Sequence, residues 1–284
     1  MHPPISNSMY HQEAIKDQIL ALIPPELASR TWGVSAYDLT NQQLIVSYNA
    51  AMAFPSASLI KVPIVVALYH EAWNNHIVLS ETVDNDPELF TKGSGILRNL
   101  SDQARLTLRD LVVLMLQVSD NVATNLLIRR LGRDRINSIL ATIGLRHTRL
   151  LTDRIDVKQL ETDLFALGTT TPGEMNTLLQ QLARHTILPP SMCEDILGIM
   201  KRDSNKQRIC GDLPLRRDLV IAHKSGTLDG VYHDIGLLTF TGSQYSVAFF
   251  SQGPSDELET LPASEHTIAR MSRYLFDVVE EVCL

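Results

Sequence analysis

The stretch FPSASLIKVPIVVALYH, residues 54–70, carries a single cation, Lys61, inside an otherwise apolar run. Burying an ammonium among such side chains costs several kcal/mol unless the charge is paired or the amine is neutral. Lys61 follows Ser58 by three residues, and residues three apart on a helix lie on one face. The spacing therefore predicts that the amine and the hydroxyl meet at the start of a helix.

In such a pair, the Ser58 hydroxyl could act as a nucleophile and the Lys61 amine as its base. At a helix N-terminus, free backbone N–H groups and the helix dipole favour the negative charge that develops on Ser58. A desolvated lysine has a lowered pKa and can take the proton of a serine. Pro63 fits the first turn of such a helix, where proline loses no hydrogen bond. The alternative is that Lys61 reaches solvent from a core helix, and one Ser-x-x-Lys does not decide between the two.

A second polar motif, Ser119-Asp120-Asn121, lies in the stretch VSDNVATNLL, residues 118–127. Serine, aspartate and asparagine are preferred residues at the start of a helix, so Ser119, Asp120 and Asn121 can simply cap the helix that follows. The same turn can also project a hydroxyl and an amide from a fixed scaffold. Those groups could pass a proton to a leaving group or hold a substrate amide.

A third group ends a predicted strand in AHKSGTLDG, residues 222–230. Lys224 and Ser225 present an ammonium and a hydroxyl that could bind a substrate carboxylate. Gly226 leaves the backbone bare there, so an extended substrate could lie along the strand edge. The alternative is a strand that runs into an exposed turn.

Composition narrows the functional classes. The chain has 284 residues, 44% of them hydrophobic, and a net charge of −7, which argues against a nucleic-acid partner. Three cysteines, Cys193, Cys210 and Cys283, are too few for a disulfide framework or a thiolate zinc site. The first 20 residues show no signal-peptide core and no membrane span. We therefore expect a cytoplasmic protein or one whose export segment is missing from this sequence, so the compartment stays open.

The pattern of helices and strands predicts an α+β fold. Residues 11–28 and 264–284 have helical periodicity. The stretch TWGVSAYDLTNQQLIVSYN (31–49) predicts two strands, and further strands are predicted near the end of the chain. We expect an antiparallel sheet flanked by the N- and C-terminal helices, built from residues 1–57 and 211–284. An all-helical domain, residues 58–210, is inserted between them, with the active site in the cleft.

Together and in this order, the three motifs resemble the signature of class A β-lactamases and penicillin-binding proteins. The chain is identified as a class A β-lactamase-like serine hydrolase over nearly its full length, from Trp32 to the last helix. Five further stretches resemble the family: GSGIL (93–97), LTLRDLVVLMLQVSDNVATNLL (106–127), IGLRHT (143–148), TTTPGEM (169–175) and HKSGTLDGVYHDIGLL (223–238).

The resemblance implies a role for each motif residue. Ser58 attacks the acyl carbonyl and Lys61 takes or shuttles its proton. Ser119 links the proton path to the leaving nitrogen, and Asn121 holds the substrate side-chain amide. Lys224 and Ser225, beside Gly226, bind the substrate carboxylate. The backbone N–H groups of Ser58 and Thr227 form the oxyanion hole. Ser225 replaces the commoner threonine but keeps the hydroxyl.

One departure from the family lies in LTDRIDVKQLETDLFALGTTTP, residues 151–172. Class A β-lactamases carry there a glutamate, with an asparagine four residues on, that positions the deacylating water. That pair is absent, and TDRID places Asp156 at the position of the glutamate. Glu161 and Asp163 remain alternatives, or all three are solvated loop carboxylates. Acylation is therefore predicted, whereas turnover depends on a carboxylate that the sequence does not identify.

Three functions are compatible with these residues. The first is a class A-type β-lactamase that hydrolyses the β-lactam amide through an acyl-enzyme at Ser58. The second is a D,D-peptidase or esterase of the same fold, for which β-lactams are slowly released inhibitors. The third is a β-lactam-binding sensor module. We expect a monomer that binds a small β-lactam or a D-Ala-D-Ala-type peptide and needs no metal or other cofactor.

Overall fold

The computed structural model describes residues 9–254 and 261–283. Its α-helices are α1 (Gln12–Ala21), α2 (Lys61–Trp73), α3 (Leu108–Gln117), α4 (Asn121–Leu131), α5 (Arg133–Thr142), α6 (Val157–Leu160), α7 (Pro172–Ala183), α8 (Pro190–Met200) and α9 (Leu261–Cys283). Its strands are β1 (Thr31–Asp38), β2 (Gln43–Tyr48), β3 (Phe54–Pro55), β4 (Thr82–Asp84), β5 (Arg105–Thr107), β6 (Arg149–Leu150), β7 (Gly168–Thr170), β8 (Val220–Leu228), β9 (Val231–Phe240) and β10 (Ser243–Gln252). Short 3₁₀ turns cover Pro25–Leu27, Ala57–Ile60, Pro87–Leu89 and Leu97–Asn99.

Five strands form one antiparallel sheet in the order β2-β1-β10-β9-β8. The strands β9 and β10 are joined through Thr241 and Gly242, both with positive φ (40° and 80°), which suits a tight hairpin. The sheet puts the strand that carries Lys224, β8, at one edge. The predicted α+β class with an antiparallel sheet is confirmed.

Both faces of the sheet are covered, because successive side chains point to opposite sides. On β10, Val247 and Phe249 belong to the core formed with α1 and α9, whereas Ala248 and Phe250 belong to the core shared with the middle helices. Helix α2 is buried nearly all round within that second core. The apolar run around Lys61 is therefore a central core helix, and the position of the lysine is fixed by packing on every side.

The middle of the chain is mainly helical but also contains short strands that the sequence did not predict. Strands β3, β7 and β6 form a three-stranded sheet, and β4 pairs with β5. Each is only two or three residues long, too short to show an alternating pattern. The predicted division at residues 58 and 210 stays a prediction.

Two helix boundaries show how local residues set the elements. The predicted helix over residues 11–28 ends at Ala21, since the prolines at 24 and 25 start a separate 3₁₀ turn. Helix α4 ends at Gly132, whose φ of 82° suits the C-terminal stop that the sequence predicted. Across residues 9–254 and 261–283, no helix combines the length and apolarity needed to span a membrane.

Candidate active site

Ser58 lies in the 3₁₀ turn Ala57–Ile60, which runs directly into α2 at Lys61. The preceding residue, Ala57, has a φ of +44°, a conformation that costs a non-glycine residue about 1–3 kcal/mol. Ser58 is half-buried while the residues on both sides of it are buried. The strained turn thus holds the hydroxyl at the start of the core helix, as the sequence predicted.

Lys61 is completely buried and its amine is held by the second motif. Its Nζ lies 2.6 Å from the carbonyl oxygen of Ser119, 3.0 Å from Ser119 Oγ and 2.8 Å from Asn121 Oδ1. Burial, followed by the nearby Lys224 charge, lowers the pKa of the Lys61 amine well below its ordinary value. Among the hydrogen bonds of the described residues, none joins Lys61 to Ser58. The predicted direct contact is thus replaced by contacts to Ser119 and Asn121.

Asp120 explains why the second motif has a fixed shape. It caps α4 through Oδ1, which accepts hydrogen bonds from the N–H groups of Val122 (2.9 Å) and Ala123 (3.0 Å). Its other oxygen accepts from Ile96 N at 2.7 Å and Leu97 N at 2.8 Å. Asp120 therefore caps α4 and fixes the 93–97 loop, while its neighbours Ser119 and Asn121 contact Lys61.

The backbone on either side of Asp120 shows the same constraint. Ser119 has a φ of +54°. A side chain on Gly95 (φ +107°) would come within 2.3 Å of the Asp120 carboxylate, so only glycine allows this approach. The 93–97 stretch that resembles the family is thus packed against the Ser119–Asn121 motif.

Lys224, the third motif's cation, is buried and paired with a residue that was not predicted from the sequence. Asp203 Oδ2 lies 3.3 Å from Lys224 Nζ and 3.3 Å from the N–H of Ser225. Burial lowers the pKa of Lys224, and Asp203 opposes that shift. The local sequence around Asp203 carries no pattern that signals this contact, because it is made across 21 residues.

Gly226 allows β8 to lie directly on the turn that carries Ser58. A Cβ at this position would sit 3.2 Å from the Ala57 Cβ and 3.3 Å from the Leu59 nitrogen, tighter than ordinary contacts. The predicted bare backbone at Gly226 is thus needed to bring Ser58 and Thr227 together.

Arg208 is the second site residue that was not predicted from the sequence. Its guanidinium is buried and donates to the carbonyl of Gly226 (2.8 Å), to that of His233 (2.7 Å) and to Thr227 Oγ1 (2.6 Å). Glu265 pairs with it at 2.9 Å. A buried arginine therefore adds positive charge behind the end of β8.

Most of the predicted site residues line two adjoining cavities. A cavity of about 190 Å³ is lined by Ser58, Ser119, Asp203, Lys224, Ser225 and Thr227, among others. A second cavity, of about 280 Å³, shares Ser58 and Thr227 and is also lined by Asn121. Its aliphatic wall comes from Ile155, Val157, Leu160, Leu167 and Leu228. Ser58 therefore lies where a polar cleft meets an apolar one.

Asp156 is placed differently from the prediction. Its Oδ1 accepts a hydrogen bond from Lys158 N at 3.0 Å and caps α6, and it is not among the residues lining either cavity. Asp163 similarly accepts from the N–H of Phe165 at 2.9 Å. Glu161, at the end of α6, does line the apolar cavity. A carboxylate that precedes a helix can accept from its free N–H groups, and Asp156 does so at α6. The catalytic role of Asp156 stays a prediction.

The candidate site combines the hydroxyls of Ser58 and Ser119 with the buried amines of Lys61 and Lys224. Within residues 9–254 and 261–283, no group of three or more His, Cys, Asp or Glu side chains is placed to hold a metal ion. The sequence model of the Beta-lactamase enzyme family matches residues 14–279. The chain belongs to this family.

Individual members of the family are distant from this chain. Beta-lactamase VEB-1 of Pseudomonas aeruginosa is 22% identical over 254 residues, covering 85% of this chain and 83% of that protein. A beta-lactamase of Mycobacterium tuberculosis is 28% identical over 225 residues, covering 75% and 70% respectively. These relatives support a β-lactamase-type hydrolase, and their low identity leaves the substrate undecided.

Solved structures place the fold more firmly. The beta-lactamase from Sphaerobacter thermophilus superposes with a TM-score of 0.84 at 25% identity, covering 95% of this chain and 98% of that one. PBP-A superposes with a TM-score of 0.83 at 25% identity, covering 99% and 98%. The fold is thus similar to both a β-lactamase and a protein named PBP-A.

Proposed function

We propose that this protein is a serine hydrolase of β-lactams that is acylated at Ser58 and releases the product by hydrolysis. The observation that carries the proposal is the joint lining of one cleft by Ser58, Ser119 and Lys224, with the buried Lys61 amine bound to Ser119. A nucleophile, a base of lowered pKa and a carboxylate-binding cation are the groups that acyl transfer needs.

The proton path follows the hydrogen bonds. Ser58 Oγ attacks the lactam carbonyl and gives its proton to the neutral Lys61 amine. The amine lies 3.0 Å from Ser119 Oγ, so a proton can pass through that hydroxyl to the leaving nitrogen. The C–N bond then breaks, and an ester of Ser58 remains. The N–H groups of Ser58 and Thr227 are proposed to stabilise the oxyanion, an effect worth about 3 kcal/mol per donor.

The substrate carboxylate is proposed to bind at the end of β8. Lys224 and Ser225 line the polar cleft there, and the buried Arg208 guanidinium lies behind Thr227 at 2.6 Å from its hydroxyl. Asn121, which lines the apolar cavity, is proposed to hold the amide of the acyl side chain. The carboxylate thus meets hydrogen-bond donors and two buried cations.

Hydrolysis of the acyl-enzyme is proposed to use Glu161. Two carboxylates line the apolar cavity among the described residues, Glu161 and Asp229. Glu161 lies on the α6 wall, in the segment where the family carries its deacylating glutamate. Asp156 instead caps α6 through Oδ1 and does not line this cavity.

A second candidate function is favoured by the position of Asp156. Without a carboxylate in that place, the acyl-enzyme can persist, and the protein would act as a D,D-peptidase for which β-lactams are slow inhibitors. A variant of PBP-A, 26% identical to this chain, has been solved as an acyl-enzyme complex with penicillin G. That neighbour supports the idea that a fold of this kind can hold a penicillin adduct.

Time-resolved intact mass spectrometry with penicillin G separates these functions. A β-lactamase shows a transient adduct and many turnovers of a chromogenic cephalosporin. The D,D-peptidase shows a stable adduct and cleaves a D-Ala-D-Ala peptide. Ser58→Ala is expected to abolish the adduct, lowering acylation by at least about 10⁴-fold. An adduct that survives this substitution contradicts the proposal. The absence of an adduct with any β-lactam, peptide or small ester also contradicts it and favours a sensor module.

A further inference from the structure

The apolar cavity has an aliphatic lining that comes from two parts of the chain. The segment around α6 contributes Ile155, Val157, Leu160 and Leu167, and Leu228 at the end of β8 completes the lining. The cavity measures about 280 Å³, whereas a cavity of about 150 Å³ with a comparable lining is large enough to bind benzene. The apolar cavity therefore has room for an aromatic ring or a branched alkyl group.

Asn121 connects this cavity to the proposed acylation site. Ser58 and Asn121 both line the cavity. The Asn121 side chain accepts from Lys61 Nζ at 2.8 Å and donates to the carbonyl of Lys92 at 3.1 Å. A carboxamide has two N–H groups, so a second donor remains for the carbonyl of a substrate amide. An amide held there, on a substrate attached to Ser58, would place its substituent in the apolar cavity.

The apolar cavity and the polar cleft differ in charge. Lys224 lines the polar cleft, whereas the described residues that line the apolar cavity include no lysine, arginine or histidine. The carboxylates of Glu161 and Asp229 are found there instead. A carboxylate on the acyl substituent would lose water beside aliphatic side chains without gaining a cation, which is unfavourable. The apolar cavity is therefore suited to uncharged substituents.

We propose that the apolar cavity selects β-lactams whose acyl substituent is an uncharged aryl or alkyl group, with Leu160 and Leu228 as specificity-determining residues. The inference rests on the proposed acylation of Ser58 and adds the class of substrate. Both leucines are half-buried, so each keeps apolar surface that a substituent can cover. One lies on α6 and the other on β8, so they contact the substituent from different elements.

Three penicillins with the same nucleus and the same amide test this selectivity. Penicillin G carries a phenylacetyl group, methylpenicillin an acetyl group, and carbenicillin a phenylacetyl group with an added carboxylate. The second-order rate constant of acylation is measured for each by intact mass against time at pH 7, and the alkaline hydrolysis rate of each compound corrects for intrinsic reactivity.

The wild-type protein is expected to rank the three compounds clearly. Penicillin G is expected to acylate at least about thirtyfold faster than methylpenicillin, because a single methylene in a hydrophobic pocket already changes kcat/KM by about 10–200-fold. Carbenicillin is expected to be at least about tenfold slower than penicillin G, because its second carboxylate meets no cation. Equal rates for penicillin G and methylpenicillin, or for penicillin G and carbenicillin, overturn the inference and leave the proposed function intact. No adduct with any of the three overturns both.

Leu160→Gln tests one of the two leucines. The ratio of the penicillin G rate to the methylpenicillin rate is expected to fall by about fivefold, and a ratio within one variant is independent of the folded fraction. Leu151→Gln changes an exposed leucine of the same segment that does not line the cavity, and is expected to leave the ratio unchanged. If Leu160→Gln does not fold, Leu228→Gln and Val157→Thr provide the same measurement. An unchanged ratio in the folded variants contradicts the assignment.

Leu160→Lys tests the charge argument by supplying the missing cation. A half-buried lysine can cover apolar surface with its stem and place its ammonium at the cavity edge. The rate with carbenicillin, relative to that with penicillin G, is expected to rise by about tenfold. Leu151→Lys adds the same charge outside the cavity and is expected to have no such effect. Equal ratios in Leu160→Lys and Leu151→Lys would show that charge in this cavity does not decide selectivity.

Discussion

The two walls of the cleft are built in different ways. On one wall, Lys61 and Lys224 are buried and held by Ser119, Asn121 and Asp203 at 2.6–3.3 Å. On the other, α6 and its flanks present aliphatic side chains to the cavity, and Asp156 and Asp163 cap local backbone N–H groups. The first wall is fixed by long-range polar contacts and the second mainly by local ones.

This difference separates the two halves of the proposed reaction. Acylation depends on the polar wall, where the buried partners Asn121 and Asp203 hold the two lysines and residues with positive φ set the turns. Release depends on the α6 wall, where one exposed carboxylate, Glu161, faces the cavity. We therefore expect substitutions on the first wall to affect adduct formation and substitutions on the second to affect adduct lifetime.

The largest expected effect on this comparison comes from Lys61→Met, which removes the base from the polar wall. Acylation by penicillin G is expected to fall by about 10²–10⁴-fold, the usual loss when a general base is removed. Intact mass against time measures it. Lys158→Met, an exposed lysine on α6, is the control and is expected to acylate like wild type.

The same lysine predicts a pH dependence. A base works when it is neutral, so the wild-type acylation rate is expected to rise with pH through the pKa of Lys61. Because burial lowers that pKa well below its ordinary value, the midpoint is expected well below the usual range of lysine. Stopped-flow acylation at a series of pH values gives the midpoint, and a rise only at the pKa of free lysine would contradict a buried neutral base.

Glu161→Gln tests the α6 wall. The lifetime of the penicillin adduct is expected to increase by about 10²-fold, while its rate of formation stays within about twofold, because the acylating groups are untouched. Asp229→Asn is the matched control, since it changes the other carboxylate lining the same cavity. If Asp229→Asn prolongs the adduct and Glu161→Gln does not, the assignment is reversed.

Asp203→Asn tests whether the polar wall depends on its buried ion pair. The substitution leaves the buried Lys224 without a charged partner, and the free energy of unfolding is expected to fall by about 3 kcal/mol. Urea denaturation followed by circular dichroism measures it. Asp102→Asn, at an exposed position, is expected to change stability by no more than about 0.5 kcal/mol. A loss below about 1 kcal/mol for Asp203→Asn would show that the pair is not important for stability.

Asp156 gives the smallest expected effect. Asparagine caps a helix about as well as aspartate, so Asp156→Asn is expected to change neither stability nor adduct lifetime, and Asp156→Ala to cost about 1 kcal/mol. The same denaturation and mass measurements apply. A longer adduct lifetime in Asp156→Asn would restore the role that the sequence resemblance implied for this residue.

The success of sequence prediction follows the same division between the walls. The residues of the polar cleft, Ser58, Ser119 and Lys224, could be chosen because three motifs occur in a fixed order. Asp203, the partner of Lys224, and Arg208, which donates to Thr227, could not be chosen, since each makes its contacts across the fold from a stretch without a pattern. On the α6 wall, the family resemblance suggested Asp156, but a four-residue helix uses that carboxylate as its cap.

The sequence by itself determined the alternating strands, the apolar helix around Lys61 and the choice of Ser58 as the proposed nucleophile, because periodicity and motif spacing act over a few residues. Only the tertiary structure decided that the Lys61 amine binds Ser119 and Asn121, that Asp203 pairs with Lys224, and which carboxylate faces the cavity. Those choices depend on which side chains become buried next to one another, and burial is a property of the folded chain.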